Sequence, residues 1–150
     1  MPAAIRPALL PDVPAIERVV RDAYRHYIAR MAKPPGPMQD DYRARVAQGA
    51  AWVLEDAGAI VGVVVVLDAA GYLLLDNVAV DPARQGQGFG RRLIAFAESE
   101  ARRRGYAEIR LYTHVTMVEN QALYARLGFD ETHRGTQAGF ERVFMRKPLV

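Results

Sequence analysis

Three alternating glycines, Gly86, Gly88 and Gly90, stand between a valine-rich stretch ending in Val80-Asp81-Pro82 and an amphipathic stretch that follows Arg91. A strand that delivers the chain into a helix through such a loop leaves the first helical N–H groups without intrahelical acceptors. The helix dipole adds positive potential there. Glycines let the main chain approach an anion with no Cβ in the way, so a phosphate is the natural occupant. Arg84, Arg91 and Arg92 can add charge, although Arg92 reads better as ordinary solvated surface. Glycines at a strand–helix junction can simply make the turn, but three in alternation exceed what a turn needs.

Two phosphate-binding patterns fail on detail. A P-loop requires G-x-x-x-x-G-K-[ST], and no Lys-Ser or Lys-Thr follows these glycines. A dinucleotide fold requires G-x-G-x-x-G and an acid near the end of the next strand; here that strand ends in Thr113-His114. Read from the residues alone, Asp76 can bond a neighbouring turn, Glu119 can cap a helix, and Tyr124 is equally a core aromatic. The chain has no cysteine, and its one serine, Ser99, lies within a helical pattern with no histidine nearby. A covalent enzyme intermediate is therefore not expected. No H-E-x-x-H or paired histidines occur, His26 and His133 read as surface or loop residues, and no metal is expected.

The loop Gln85-Gly86-Gln87-Gly88-Phe89-Gly90 resembles the acetyl-CoA signature of the Gcn5-related N-acetyltransferases, [QR]-x-x-G-x-[GA]. The preceding Leu74-Leu75-Asp76-Asn77-Val78-Ala79-Val80 and Asp81-Pro82 are similar to the strand and turn that the family places before its loop. The segment from Glu119 through Asn120 and Tyr124 to Gly128-Phe129 resembles its second motif, an asparagine and then a tyrosine on a short helix ending in Gly-Phe. The likeness in element order extends over essentially the whole chain.

The resemblance implies a fold: one N-acetyltransferase domain over residues 1–150, an α/β architecture with a central mixed, mostly antiparallel sheet flanked by helices. It implies acetyl-CoA as the cofactor. The pyrophosphate would sit on the main chain of Gln85, Gly86, Gln87, Gly88, Phe89, Gly90 and Arg91. The pantetheine arm would lie along Val78, Ala79 and Val80, pairing as a strand with Val78 and Val80. Asn120 would contact the cofactor, and the Tyr124 hydroxyl would face the thioester sulfur. An amine attacking the thioester carbonyl needs a donor for the oxygen that gains charge, which an N–H near Val78 can give. The departing thiolate needs a proton, which a phenol can give. The sequence departs from the family at the base: several members carry a glutamate where Leu74 stands. The nearest acid is Asp76, two residues on and so on the same face of a regular strand; His114 and a water chain are the alternatives.

Composition sets outer bounds. The 150 residues suit a single domain, and 51% hydrophobic content rules out the low-hydrophobicity signature of disorder. Net charge is +3, from 20 basic against 17 acidic residues, too mild an excess to specify a nucleic-acid binder. The run Arg102-Arg103-Arg104 closes a helix, where cations suit the dipole. The first ten residues carry one arginine and no long apolar run, so no signal peptide is expected. The most apolar stretch, 59–67, is far short of the roughly 20 residues of a membrane span. These features, with the missing cysteines, lead to an expectation of a soluble cytoplasmic protein, without nucleic-acid or membrane partners.

The elements that position these groups follow from periodicity and breakers. A first strand is predicted over 4–7, then a helix capped by Asp12 with Ile16, Val19, Val20, Ala23, Tyr24 and Tyr27 on one face. Lys33-Pro34-Pro35-Gly36-Pro37 makes a stiff loop, followed by a short helix over about 39–48 with Asp40 or Asp41 as cap. Strands are expected over 51–55, 60–67 (buried on both faces) and 72–80, a helix to about residue 104, a strand over 107–115, a helix over 119–127, and two last strands over about 129–134 and 140–147. Such an order requires a mixed sheet with at least one crossover helix. The acceptor site is expected among the first helices, the loop 31–38 as a lid, and the last hairpin; Tyr24, Tyr27 and Tyr42 can line that lid, although buried packing is the commoner fate of tyrosines at helical spacing. A small amine or amino acid is the first choice of acceptor, and a protein N-terminus or lysine the second. A homodimer through the last strands is an arrangement common in the family. A non-catalytic acyl-CoA sensor would keep the loop and dispense with the acid.

Overall fold

A computed structural model describes residues 3–31 and 33–149. The elements are β1 (Ala4–Pro7), α1 (Val13–Tyr24), α2 (Tyr42–Ala47), β2 (Ala51–Asp56), β3 (Ala59–Ala69), β4 (Tyr72–Val80), α3 (Phe89–Arg103), β5 (Glu108–His114), α4 (Val118–Arg126), β6 (Asp130–Gln137) and β7 (Phe140–Pro148). The strands form a seven-stranded sheet of order β1-β2-β3-β4-β5-β7-β6. The chain makes two compact units, one of Met1–Val66 with Asn77–Ala97, the other of Leu67–Asp76 with Glu98–Val150.

In the first unit, α1 turns Val13, Ile16, Val19, Val20 and Tyr24 inward, the spacing of one helical face. β1 pairs antiparallel with β2, and β2 with β3, with a register shift between Leu54 and Glu55. Residues 61–66 of β3 are buried without interruption, so this strand is covered on both faces. Asp12 does not cap α1 as expected. A 3₁₀ turn, Leu10–Asp12, precedes the helix, and Asp12 itself has helical angles. Its carboxylate accepts from the Leu9 N–H at 2.7 Å and from the Arg6 guanidinium at 2.8 and 3.1 Å. The next helix is shorter than expected. Gly36–Gln39 is a 3₁₀ turn, α2 has six residues, and Asp41 caps it by accepting from the Ala44 N–H at 3.2 Å. Asp40 instead binds Arg45 at 2.9 Å.

In the second unit, β4 and β5 are parallel, Leu73–Leu75 against Ile109–Leu111. A parallel pair needs a crossover, and α3 is that connection. β5 alternates cleanly: Ile109, Leu111 and Thr113 are buried, while Arg110, Tyr112 and His114 turn to the other face. β7 pairs antiparallel with β5 and with β6. The last hairpin is longer than expected and turns at Ala138 and Gly139, both with positive φ. All eight residues of β6 are exposed. Arg103 and Arg104 close α3 by binding Glu100, and Arg104 also reaches Asp68.

Candidate active site

The phosphate loop lies in the first unit. β4 ends at Val80, Asp81 accepts from the Ala83 N–H at 2.9 Å to shape a 3₁₀ turn over Pro82–Arg84, and Gln85 is extended. Gly86 and Gly88 then take φ of +86° and +80°. A Cβ at either would meet nothing within 4 Å, so the backbone conformation, not space, calls for glycine there. The first bond of α3 runs from the Arg92 N–H to the Gly88 carbonyl at 3.0 Å. The amides of Phe89, Gly90 and Arg91 therefore precede the helical ladder. Gln85, Gly86, Gln87 and Gly88 are exposed, and Phe89 is buried, anchoring the helix start by its ring.

The three arginines divide. Arg84 forms an ion pair with Asp56 at the end of β2. Arg92 donates to the Ala3 carbonyl at 2.9 Å. Arg91 is exposed and, among the described residues, makes no ion pair or side-chain hydrogen bond. Open amides, a helix N-terminus and a spare guanidinium fit a pyrophosphate.

The strand leading into this loop has an anchor that sequence reasoning missed. Asn77 is buried, the polar exception on a face otherwise made of Leu73, Leu75 and Ala79. The Tyr24 hydroxyl donates to Asn77 Oδ1 at 2.7 Å, Asn77 Nδ2 donates to the Tyr42 oxygen at 3.0 Å, and Tyr42 donates to the Pro37 carbonyl at 2.5 Å. Each donor has an acceptor, so the network is satisfied. It fixes the end of β4, where Val78, Ala79 and Val80 stand, to α1, α2 and the proline loop. The one available signal was an asparagine interrupting an apolar alternation. Tyr24, Tyr27 and Tyr42 are all buried, so they act as packing and anchoring groups rather than as lining of a lid. Ala32 of that loop lies outside the described residues.

The proton-moving candidates lie in the second unit. Asp76 is half-buried on the same face of β4 as Tyr72 and Leu74, as the strand period requires, and accepts from the Tyr112 hydroxyl at 3.1 Å. The Arg142 guanidinium stacks on the Tyr112 ring at 3.9 Å. Nothing in the spacing of Tyr112 singled it out. Asn120 and Tyr124 are four residues apart on α4 and share a face. Tyr124 is buried with its ring edge-on to Phe129 at 5.9 Å, and the Phe129 N–H bonds its carbonyl at 3.0 Å. Asn120 Nδ2 approaches Met117 Sδ at 3.8 Å. Glu119 lies in the first turn of α4 and is not its cap.

His114 is poorly placed to accept a proton. Its Nδ1 accepts from the Thr116 N–H at 3.2 Å and lies 2.8 Å from the Thr116 hydroxyl, which puts the ring proton on Nε2. Burial pushes its pKa below the ordinary value, with Glu141 opposing and Arg142 adding to the shift. Among the described residues, no group of three or more His, Asp or Glu side chains is placed to hold a metal. No described helix is long and apolar enough to cross a membrane.

Comparison with known proteins bears on the same stretch. Residues 47–131, more than half the chain, match the sequence model of the Acetyltransferase (GNAT) domain. The ribosomal protein bS18-alanine N-acetyltransferase of Escherichia coli K12 is 43% identical over 67 residues, 45% of this chain and 43% of that protein. The match thus spans less than half of this curated relative. The crystal structure of the Escherichia coli S18-alanine enzyme superposes with a TM-score of 0.76 at 25% identity, covering 99% of this chain and 94% of that one. The PaiA N-acetyltransferase of Thermoplasma acidophilum, crystallised with coenzyme A, shares the fold at a TM-score of 0.84 and 17% identity, with 99% of both chains covered. With its glycine loop and the strand before it inside the matched region, the chain belongs to the GNAT acetyltransferase family.

Proposed function

We propose that this protein transfers an acetyl group from acetyl-CoA to the primary amine of a small molecule or amino acid, by direct attack without an acyl-enzyme. The observation that carries this is the row of unladdered amides at Phe89, Gly90 and Arg91 behind two left-handed glycines. Acetyl-CoA supplies the acyl group activated as a thioester. The chain's own residues bind and orient it. The amides of 86–91 and the Arg91 guanidinium hold the pyrophosphate, and the main chain of Val78, Ala79 and Val80 carries the pantetheine arm as an added strand. The Val78 N–H donates to the carbonyl oxygen as charge grows on it. The Tyr124 hydroxyl gives a proton to the sulfur, Asn120 contacts the cofactor, and Asp76 takes the proton of the amine. The Tyr112 hydroxyl, which donates to Asp76, supports a carboxylate oriented for that role. A protein N-terminus is the second reading, favoured by the relative named for acetylating an alanine of ribosomal protein bS18.

A thiol-release screen with acetyl-CoA over small amines, free amino acids and alanine-leading peptides separates these readings. Turnover is expected with the first two groups; turnover confined to peptides favours the second reading, and none at all ends the enzyme assignment. Tyr124→Phe separates an enzyme from a sensor: turnover is expected to fall about a hundredfold while coenzyme A affinity holds. Equal turnover in the variant removes Tyr124 from the chemistry.

A further inference from the structure

The second unit has a cavity of about 610 Å³ on the face of β4, β5, β7 and β6 that carries Asp76. Its position on the sheet sorts its lining into two rows. One row is Leu74, Arg110 and Arg146, opposite one another on β4, β5 and β7. The next is Tyr112, Phe144 and His133, again in register, with Asp76 bonded to Tyr112 at the β4 end. Rows on one face are two residues apart, roughly 7 Å, and two strand spacings are about 10 Å.

The guanidinium row has capacity left. Arg110 binds Glu108 through two bonds of 2.9 and 3.2 Å and lies over the Tyr72 ring at 4.1 Å. That pairing holds the Glu108 carboxyl below its ordinary pKa. Arg146 stands 3.7 Å from the same carboxylate, beyond hydrogen-bond distance, and among the described residues has no other charged partner. Two guanidiniums facing one carboxylate leave a unit of positive charge, and Arg146 keeps its donors for a ligand. In the aromatic row His133 stacks on Phe144 at 4.4 Å with 6° between the planes, while Tyr112 stands 6.1 Å from Phe144 with its ring tilted by 46°.

The cavity is thus lined by aromatic rings and guanidiniums, with the Asp76 carboxylate just beyond its β4 end, bonded to the lining Tyr112, and a spare guanidinium on β7. We propose, resting on the acetyl transfer above, that the acceptor is an amine with a carboxylate at the far end of a planar, apolar body. The amine lies toward Asp76, the ring against Tyr112 and Phe144, and the carboxylate on Arg146. An amine lacking the acid leaves the Arg146 fork unanswered.

Three probes test this: 4-(aminomethyl)benzoate, benzylamine, and 4-methylbenzoate, which has no amine to acetylate. Wild-type kcat/KM is expected to favour 4-(aminomethyl)benzoate over benzylamine by about tenfold, a preference that Arg146→Gln cuts to about twofold and Arg146→Lys partly restores. Coenzyme A affinity serves as the fold control. Binding of 4-methylbenzoate, followed by NMR, is expected to perturb Tyr112 and Phe144 in wild type and to weaken in Arg146→Gln. A wild-type ratio near one, a ratio that Arg146→Gln leaves alone, or no saturable 4-methylbenzoate binding overturns the inference. Arg146-dependent binding of 4-methylbenzoate by a protein that acetylates no amine keeps the anion site and removes the acetyl-transfer reading. Acetylation of both amines at equal rates does the reverse.

Discussion

Gly88 has φ of +80° with open space around the position of a Cβ, so its cost of replacement is conformational alone. Gly88→Ala is expected to destabilise the fold by about 1 kcal/mol, the cost of an L side chain in the left-handed region. If the chain relaxes φ instead, the amides that follow turn away from the anion. Coenzyme A affinity should then fall about tenfold, the equivalent of about 1.4 kcal/mol. Calorimetric titration beside a thermal melt reads both effects; loss of neither means the loop does not depend on that backbone angle. Gly90 differs. It has negative φ and its Cβ would sit at an ordinary 3.8 Å from Val80, so the third glycine of the motif is not demanded by the chain's own geometry.

Among the elements, periodicity and breakers made most of the strands legible. The valine run of β3 and the alternation of β5 announced their burial directly. Helix starts were less legible, because a cap depends on which neighbour competes for the carboxylate. Asp12 looked like a cap, but Arg6 and the Leu9 N–H hold it; between Asp40 and Asp41, only the arginine partner of Asp40 decides. β6 ran past its expected end because Gly135, read as a breaker, stays in the ladder opposite Arg142, and Thr136 and Gln137 continue the pairing up to Phe140. The phosphate loop was readable because its function lies in contiguous main chain. The Asn77 anchor and the Asp76–Tyr112 bond were not, since their partners are 35, 53 and 36 residues away in sequence.

For the molecule as a whole, pH acts from two sides. Asp12 and Glu100 are held below their ordinary pKa values by hydrogen bonds from Arg6 and Arg103, and Glu108 by Arg110. A carboxyl depressed in the fold lends stability above its unfolded pKa and loses it as pH falls through the folded one. Acid unfolding should therefore steepen below 4.5, the ordinary value of the two glutamates. His114 acts at higher pH. Its folded pKa lies under 6.5, so the unfolded chain takes its proton first and stability falls as pH drops below 6.5. Denaturant midpoints should be level in wild type from that value up toward 10, where the raised Tyr106 begins to matter, and His114→Gln should flatten the slope just beneath 6.5. An unchanged slope in the variant would mean another group titrates there. The ion pair between Arg84 and Asp56 bears on ionic strength. With the Arg84 guanidinium already matched by a carboxylate, a polyanion arriving at the loop meets backbone dipoles, the guanidinium of Arg91 and that of Arg92, which is held on the Ala3 carbonyl but keeps its charge. Its long-range attraction at the loop then rests on those two charges, which are what added electrolyte screens. Coenzyme A dissociation constants should change less than about threefold between about 0.05 and about 0.5 M sodium chloride; a steeper dependence would point to a wider field of positive charge than this loop provides.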